Sequence, residues 1–316
     1  MEKKRNVVGR FAPSPSGRMH LGNAFSCLIA WLSARSKGGE VVLRLEDLDP
    51  DRCRKTYSAQ LEEDLHWLGL DWDRGGLSDE PEYCQSACSG YYAQAFRSLE
   101  EKGLLYPCFC SRGELHAASA PHSSDGNLVY AGTCRNLTEE QRREKSRLRR
   151  PAIRIRVPEE TVSFTDGNLG PYSENLAEDC GDYIVRRSDG VYAYQLAVVV
   201  DDARMGITEV VRGSDLLSST PRQIWLQRQL GLSTPQYYHL PLLLAPDGRR
   251  LSKRDRDLDL GELKQHYASE EVVGILACLA GQMEEPAPIR PEDLISSFSW
   301  DRVPKQDITL DRSIFL

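Results

Sequence analysis

A chain of 316 residues with 40% hydrophobic content has room for one large domain or two to three small ones and a sizeable core. Its net charge of −7 and isoelectric point near 5.5 exclude a uniformly basic nucleic-acid coat but not local basic patches. The basic start "MEKKRNVVGRF" lacks the apolar stretch of a secretory signal, "VVGILACLAG" (272–281) is too short for a bilayer, and nine scattered cysteines favour reduced thiols; a cytoplasmic protein without a membrane partner is expected.

Residues 6–11 read as a short buried strand. Residues 22–36 read as a helix, with Phe25, Leu28, Ile29 and Leu32 at helical spacing, stopped by Gly38 and Gly39. "EVVLRLEDLD" (40–49) reads as the next strand. Strand, helix and strand within about 45 residues predict a βαβ unit and a parallel sheet, with the loop after the first strand at the ligand-binding carboxyl edge. Helices are expected over 56–69 and 86–103. Periodicity then fades over 107–134, before a charged helix (138–150) and a half-exposed strand "AIRIRV" (152–157). The segment 182–213 reads as strand-rich, with a hairpin at Asp189-Gly190 and "LAVVVDD" as a buried strand ending in two acids. Residues 220–230 read as a helix, and the chain beyond "GRRLSKRD" (248–255) as polar and short-helical. The expected organisation is a first sheet half (1–105), an insertion (106–180), a second half (181–258) and a short helical C-terminal region (259–316).

Two stretches carry chemistry. "RFAPSPSGRMHLGN" (10–23) places a proline-rich, small-residue loop and His20 before a helix start. Such a start offers free N–H groups and a positive dipole end to phosphate, and Gly17 and Gly22 allow close approach. Far down the chain, "RRLSKR" (249–254) is a basic loop. A lysine loop facing a histidine–glycine loop suits transfer at an α-phosphate, whose transition state gathers negative charge.

Together "HLGN" (20–23) and "RLSKR" (250–254) resemble the two signatures of class I aminoacyl-tRNA synthetases. With "LRLEDLDPDR" (43–52) and "YQLAVVVDDARMGITEVVRGSDLL" (194–217), the chain is similar to the glutamyl branch. Asn23 stands where the first signature has its second histidine, and Arg250 where the second has its first lysine. The resemblance implies an α/β fold: a Rossmann-like parallel sheet with an inserted zinc-bearing α+β subdomain and a short helical C-terminal region. It implies catalytic roles for His20 and Lys253, and ATP, with Mg²⁺, between Gly22, Asn23, Arg250, Ser252 and those two residues. Arg10, Ser14, Glu46, Tyr194 and Arg212 are implied to hold L-glutamate. The arginines would take carboxylates and Glu46 the ammonium, with the assignment of each arginine open.

Cys108, Cys110 and Cys134 suggest one structural zinc ion. Chemistry alone favours His116 or His122 as the fourth ligand, whereas a truncated subfamily of these enzymes pairs C-x-C with Y-x-x-x-C, which points to Tyr130. Only about 60 residues follow the lysine loop, so no anticodon-binding region is expected. Shortness and zinc pattern resemble the glutamyl-Q tRNA(Asp) synthetase family. That family activates glutamate without tRNA and transfers it to queuosine in the tRNA(Asp) anticodon stem-loop. Arg142, Arg143, Lys145, Arg147, Arg149, Arg150, Arg154 and Arg156 form a candidate phosphate-contact surface. A monomer is expected. The competing readings are a truncated enzyme with another acceptor and a non-catalytic tRNA-binding module.

Overall fold

The computed structural model describes residues 6–77, 81–111, 113–114, 129–249, 251 and 258–310. Strand β1 (Val8–Phe11) is joined through helix α1 (Leu21–Arg35) to the parallel strand β2 (Glu40–Leu43), and β2 through α2 (Lys55–Trp67) to the parallel strand β3 (Arg74–Gly75). Eleven of the fifteen positions of α1 are buried, because one side packs on the sheet and the other on a C-terminal helix. Its all-round apolar sequence is that of a core helix.

After α3 (Ser89–Glu101) the parallel pattern stops. There follow β4 (Leu105–Cys108), the solvent-facing helix α4 (Glu139–Leu148), β5 (Ala152–Ile155), β6 (Thr161–Asp166), β7 (Gly170–Asn175) and β8 (Tyr183–Arg186). Strands β4, β5 and β8 form an antiparallel sheet, and β6–β7 is a hairpin. The parallel pattern resumes with α5 (Tyr194–Arg204), β9 (Glu209–Gly213), α6 (Ser219–Leu230) and β10 (Gln236–Leu240), which pairs in parallel with β9. Thr208, just before β9, donates its N–H to Val8 O at 3.0 Å. The five parallel strands therefore run β3-β2-β1-β9-β10. The order reverses between β1 and β9, the place where open α/β sheets bind ligands.

Helices cover both faces. One core joins α1 to the C-terminal helices α7 (Leu260–His266), α8 (Ser269–Leu279) and α9 (Pro291–Leu294); the other joins α3, α5 and α6. Among the described residues no helix is long and apolar enough to cross a membrane.

Two expected elements are corrected. "LAVVVDD" is helical, forming most of α5. It packs against α3 and α6 with Val198, Val199 and Val200 all buried, and a segment buried all round loses the alternation that separates strand from helix. The strand expected over 40–49 pairs only through Leu43; Arg44 N–H still donates to Phe11 O at 2.9 Å, but Leu45 bridges to Cys84. The chain thus turns away and brings Glu46 to the sheet's carboxyl edge.

Candidate active site and metal centre

A cavity of about 480 Å³ opens at the carboxyl ends of β1 and β9. It brings together Arg10, Ser14, Glu46, Tyr194 and Arg212 with His20 and Asn23. Gly22 lines an adjoining cavity of about 150 Å³ that also touches His20, Asn23 and Leu251. Arg250, Ser252 and Lys253 lie outside the described residues.

Arg10 and Glu46 of the cavity wall belong to a buried chain of alternating charge that continues behind it through Arg44 and Asp202. Arg44 Nη1 donates to Asp202 Oδ1 at 2.7 Å and Arg44 Nη2 to Glu46 Oε1 at 3.2 Å, while Arg10 Nε lies 3.8 Å from the same Asp202 oxygen. Arg10 Nη1 donates to Val211 O at 2.9 Å. Two guanidinium groups thus balance two carboxylates, which makes their burial tolerable. Burial still pushes the Glu46 carboxyl above its ordinary value, against the pull of Arg44 and Arg10. An approaching cation would offset that loss of hydration.

Arg212 is held differently. Its Nε donates to His239 Nε2 at 3.1 Å and its Nη2 to Thr220 Oγ1 at 2.8 Å, while Nη1 is buried without a hydrogen-bond partner. A buried guanidinium N–H left unpaired beside a cavity is a ready donor for a ligand carboxylate. Tyr194 stands at the first position of α5 on the same cavity. Burial raises its hydroxyl above the ordinary value, so it stays a protonated donor. Sequence reasoning missed Arg44, Asp202, Thr220 and His239. Arg44 and Asp202 lay inside motifs already singled out, but a pairing partner 158 positions away leaves no local signal.

At the start of α1, Asn23 Oδ1 accepts the backbone N–H of His20 at 3.3 Å, so this side chain closes the helix start. A Cβ on Gly22 would come within 3.2 Å of the His20 ring. The same segment touches the chain just past the lysine loop: Leu260 N–H donates to Met19 O at 2.9 Å, and His20 bridges to Asp259.

A second cavity, of about 410 Å³, shares the wall formed by Ser14, Ser16, Glu46 and Tyr194. Its far side carries Asp49, Arg52, Arg187 and Tyr192.

The thiols of Cys108, Cys110 and Cys134 lie within 4.8 Å of one another. Cys110 Sγ is 3.6 Å from Cys134 Sγ, and the Tyr130 hydroxyl is 3.5 Å from Cys108 Sγ and 3.7 Å from Cys110 Sγ. Tetrahedral zinc with Zn–S bonds of about 2.3 Å needs ligand atoms about 3.5–3.8 Å apart, and the Cys110–Cys134, Cys108–Tyr130 and Cys110–Tyr130 separations match that spacing. Cys134 N–H donates to the phenolic oxygen at 2.7 Å, and the Arg154 guanidinium lies 3.8 Å over the Tyr130 ring; both would stabilise negative charge on that oxygen. His116 and His122 lie outside the described residues.

This arrangement corrects the basic surface. Arg154 is buried and donates to Asp182 O at 2.6 Å, and Arg156 lies over Tyr106. Arg154, on β5, and Arg156, just past it, thus both lie against aromatic rings of or beside the cysteine-bearing segment. Arg142 is half-buried, and Arg149 donates to Phe109 O but stays exposed, with Arg143, Lys145, Arg147 and Arg150, on and just beyond α4.

The family model for class I tRNA synthetases (E and Q), catalytic domain, matches residues 6–313. A relative from Symbiobacterium thermophilum named glutamyl-Q tRNA(Asp) synthetase is 50% identical over 96% of each chain. One of the same name from Nitratidesulfovibrio vulgaris is 47% identical over 98% of this chain and 97% of its own. The solved glutamate tRNA ligase of Elizabethkingia meningosepticum, in complex with its amino acid, is similar with a TM-score of 0.82 at 26% identity. That match covers 98% of this chain and 68% of the ligase.

Proposed function

The chain belongs to the class I glutamyl- and glutaminyl-tRNA synthetase family, within it to the glutamyl-Q tRNA(Asp) synthetases, and is a glutamate-transferring ligase; we propose that it activates glutamate with ATP, without tRNA, and esterifies queuosine in the tRNA(Asp) anticodon. The observation that carries this reading is the meeting, in one cavity, of a buried Arg212 with an unpaired Nη1, the carboxylate of Glu46 and the start of α1. An amino acid with a second carboxylate matches the first two groups, and a nucleoside triphosphate matches the third.

In this mechanism Arg212 and Arg10, with Ser14 and Tyr194 as hydroxyl donors, take the two carboxylates, and Glu46 takes the ammonium. His20 and the N–H groups at the start of α1 hold the phosphates, and Lys253 is assigned to neutralise further charge. Magnesium, when bound, supplies further neutralisation of the phosphates. The substrate α-carboxylate attacks the α-phosphorus; the bond to the bridging oxygen breaks, giving glutamyl-adenylate and pyrophosphate. A hydroxyl of the queuosine cyclopentenediol then attacks the activated carbonyl, loses its proton and expels AMP. No protein nucleophile is needed, since positioning and charge neutralisation lower the barrier. The second cavity adjoins the Glu46–Tyr194 wall, which supports entry of the acceptor nucleoside from that side. The exposed cations on and beyond α4 are suited to anticodon-stem phosphates. One zinc ion on Cys108, Cys110, Tyr130 and Cys134 would brace the segment between β4 and α4.

The test uses labelled glutamate, ATP and tRNA with or without queuosine. Label on queuosine-containing tRNA(Asp) is expected, preceded by tRNA-independent, glutamate-dependent pyrophosphate exchange. Label on tRNA(Glu) acceptor ends would overturn the acceptor, and absence of exchange in zinc-replete protein would overturn the activation step.

A further inference from the structure

The unpaired Nη1 of Arg212 depends on how the rest of its guanidinium is held. Nε, a donor only, points at Nε2 of His239, which must therefore be the accepting nitrogen. The imidazole proton then sits on Nδ1, which lies 2.6 Å from Asp166 Oδ2. His239 and Asp166 have fully buried side chains. Asp166 is itself fixed: its Oδ1 accepts the backbone N–H groups of Asn168 at 3.0 Å, Leu169 at 2.9 Å and His239 at 3.1 Å. Asn168 Nδ2 also donates to His239 O at 2.9 Å.

Asp166 ends β6 of the hairpin, His239 lies on β10 and Arg212 on β9. The three side chains form a line from the inserted hairpin to the glutamate cavity. A protonated imidazole would set two N–H groups against each other at the Arg212 Nε contact. Burial holds His239 below its ordinary value, with Arg212 adding to the depression and Asp166 opposing it.

We propose that His239, its proton placed on Nδ1 by Asp166, is a positioning residue that aims Arg212 into the cavity and so sets the affinity for the substrate carboxylate. The proposal rests on the reading that Arg212 binds glutamate. In a family where substrate recognition comes from the parallel-sheet motifs, it gives the inserted hairpin a share in amino-acid recognition without contact with the substrate.

Glutamate-dependent pyrophosphate exchange tests it in three near-isosteric variants and one control. His239→Asn retains an amide near the Nδ1 position for Asp166 but leaves Arg212 Nε without an acceptor. His239→Gln places an amide oxygen near the Nε2 position. In Asp166→Asn the three backbone donors claim the amide oxygen, so the amide nitrogen faces Nδ1 and drives the ring proton onto Nε2. His239→Asn and Asp166→Asn are expected to raise the glutamate KM at least tenfold, with the ATP KM and kcat within threefold of the parent; His239→Gln should stay within threefold throughout. Arg212→Lys is the control and should raise the glutamate KM alone. If it does so while His239→Asn and Asp166→Asn leave that KM unchanged, the positioning role is overturned and the Arg212 assignment stands. An unchanged glutamate KM in Arg212→Lys overturns both. Parallel losses for glutamate and ATP in the His239 variants would mean a merely structural role and also overturn the proposal.

Discussion

Lys264 Nζ meets the fully buried Asp64 carboxylate at 2.5 Å, and Arg18 Nη2 lies 3.6 Å from the same oxygen. Arg18 belongs to the loop that carries His20, Asp64 to α2, and Lys264 to α7, just past the lysine loop. One carboxylate therefore ties the His20 loop to α7, the helix that follows the lysine loop in the chain. Asp64→Asn leaves both cations facing a neutral amide. Because each cation keeps partial access to water, the expected cost is about 1–3 kcal/mol, below that of breaking a fully buried pair. Urea unfolding measures it, and the ATP KM should rise more than the glutamate KM.

Glu46 is the proposed ammonium partner. Glu46→Gln keeps the shape and leaves Arg44 its bond to Asp202. Loss of one charge-assisted contact is expected to weaken glutamate binding roughly tenfold to a hundredfold. Calorimetric titration of glutamate checks it, with ATP affinity as the unaffected reference.

Zinc is expected at one equivalent per chain, read by metal analysis of the purified protein. Cys110→Ser should lose it and lower the melting temperature. Tyr130→Phe removes the phenolic oxygen with little change in volume and should weaken zinc affinity by at least the roughly 10–100-fold that losing a mere outer-shell partner costs. Unchanged affinity would move the fourth ligand elsewhere, to His116 or His122.

Stability should fall as pH drops below about 6.5 because of His239. Its folded value lies below the ordinary 6.5, so the unfolded chain takes up the proton first. The stabilisation is present above the unfolded value and is lost as pH falls toward the folded one. The groups facing this imidazole are Asp166, Arg212 and Arg10, and Thr220 Oγ1 lies 3.2 Å away. Unfolding free energies at pH 7.5, 6 and 5 should show a slope of at most about 1.4 kcal/mol per unit that is reduced in His239→Gln.

The site's residues were legible where one motif carried both backbone signal and chemistry. The loop from Arg10 to Asn23 announces a strand end, a rigid turn and a helix start in consecutive residues. Glu46 and Arg212 were singled out because their motifs are similar to those of a family, since a single charged residue in a sequence says nothing of its partner. Tyr130 gained its place in the same way, by spacing to Cys134, and the structure then set its hydroxyl between two thiols.

By itself the sequence determined the βαβ start, the two signature loops and the cysteine spacing, because each is written in neighbouring residues whose turn, cap and ligand chemistry is local. Only the tertiary structure decided that "LAVVVDD" is a helix, that Arg154 is buried, and that Asp202 pairs with Arg44 and Asp166 with His239. Burial on all sides erases periodicity. A buried charge is tolerated only with a partner that folding brings from far along the chain, here from 158 positions away for Arg44 and Asp202 and 73 for His239 and Asp166.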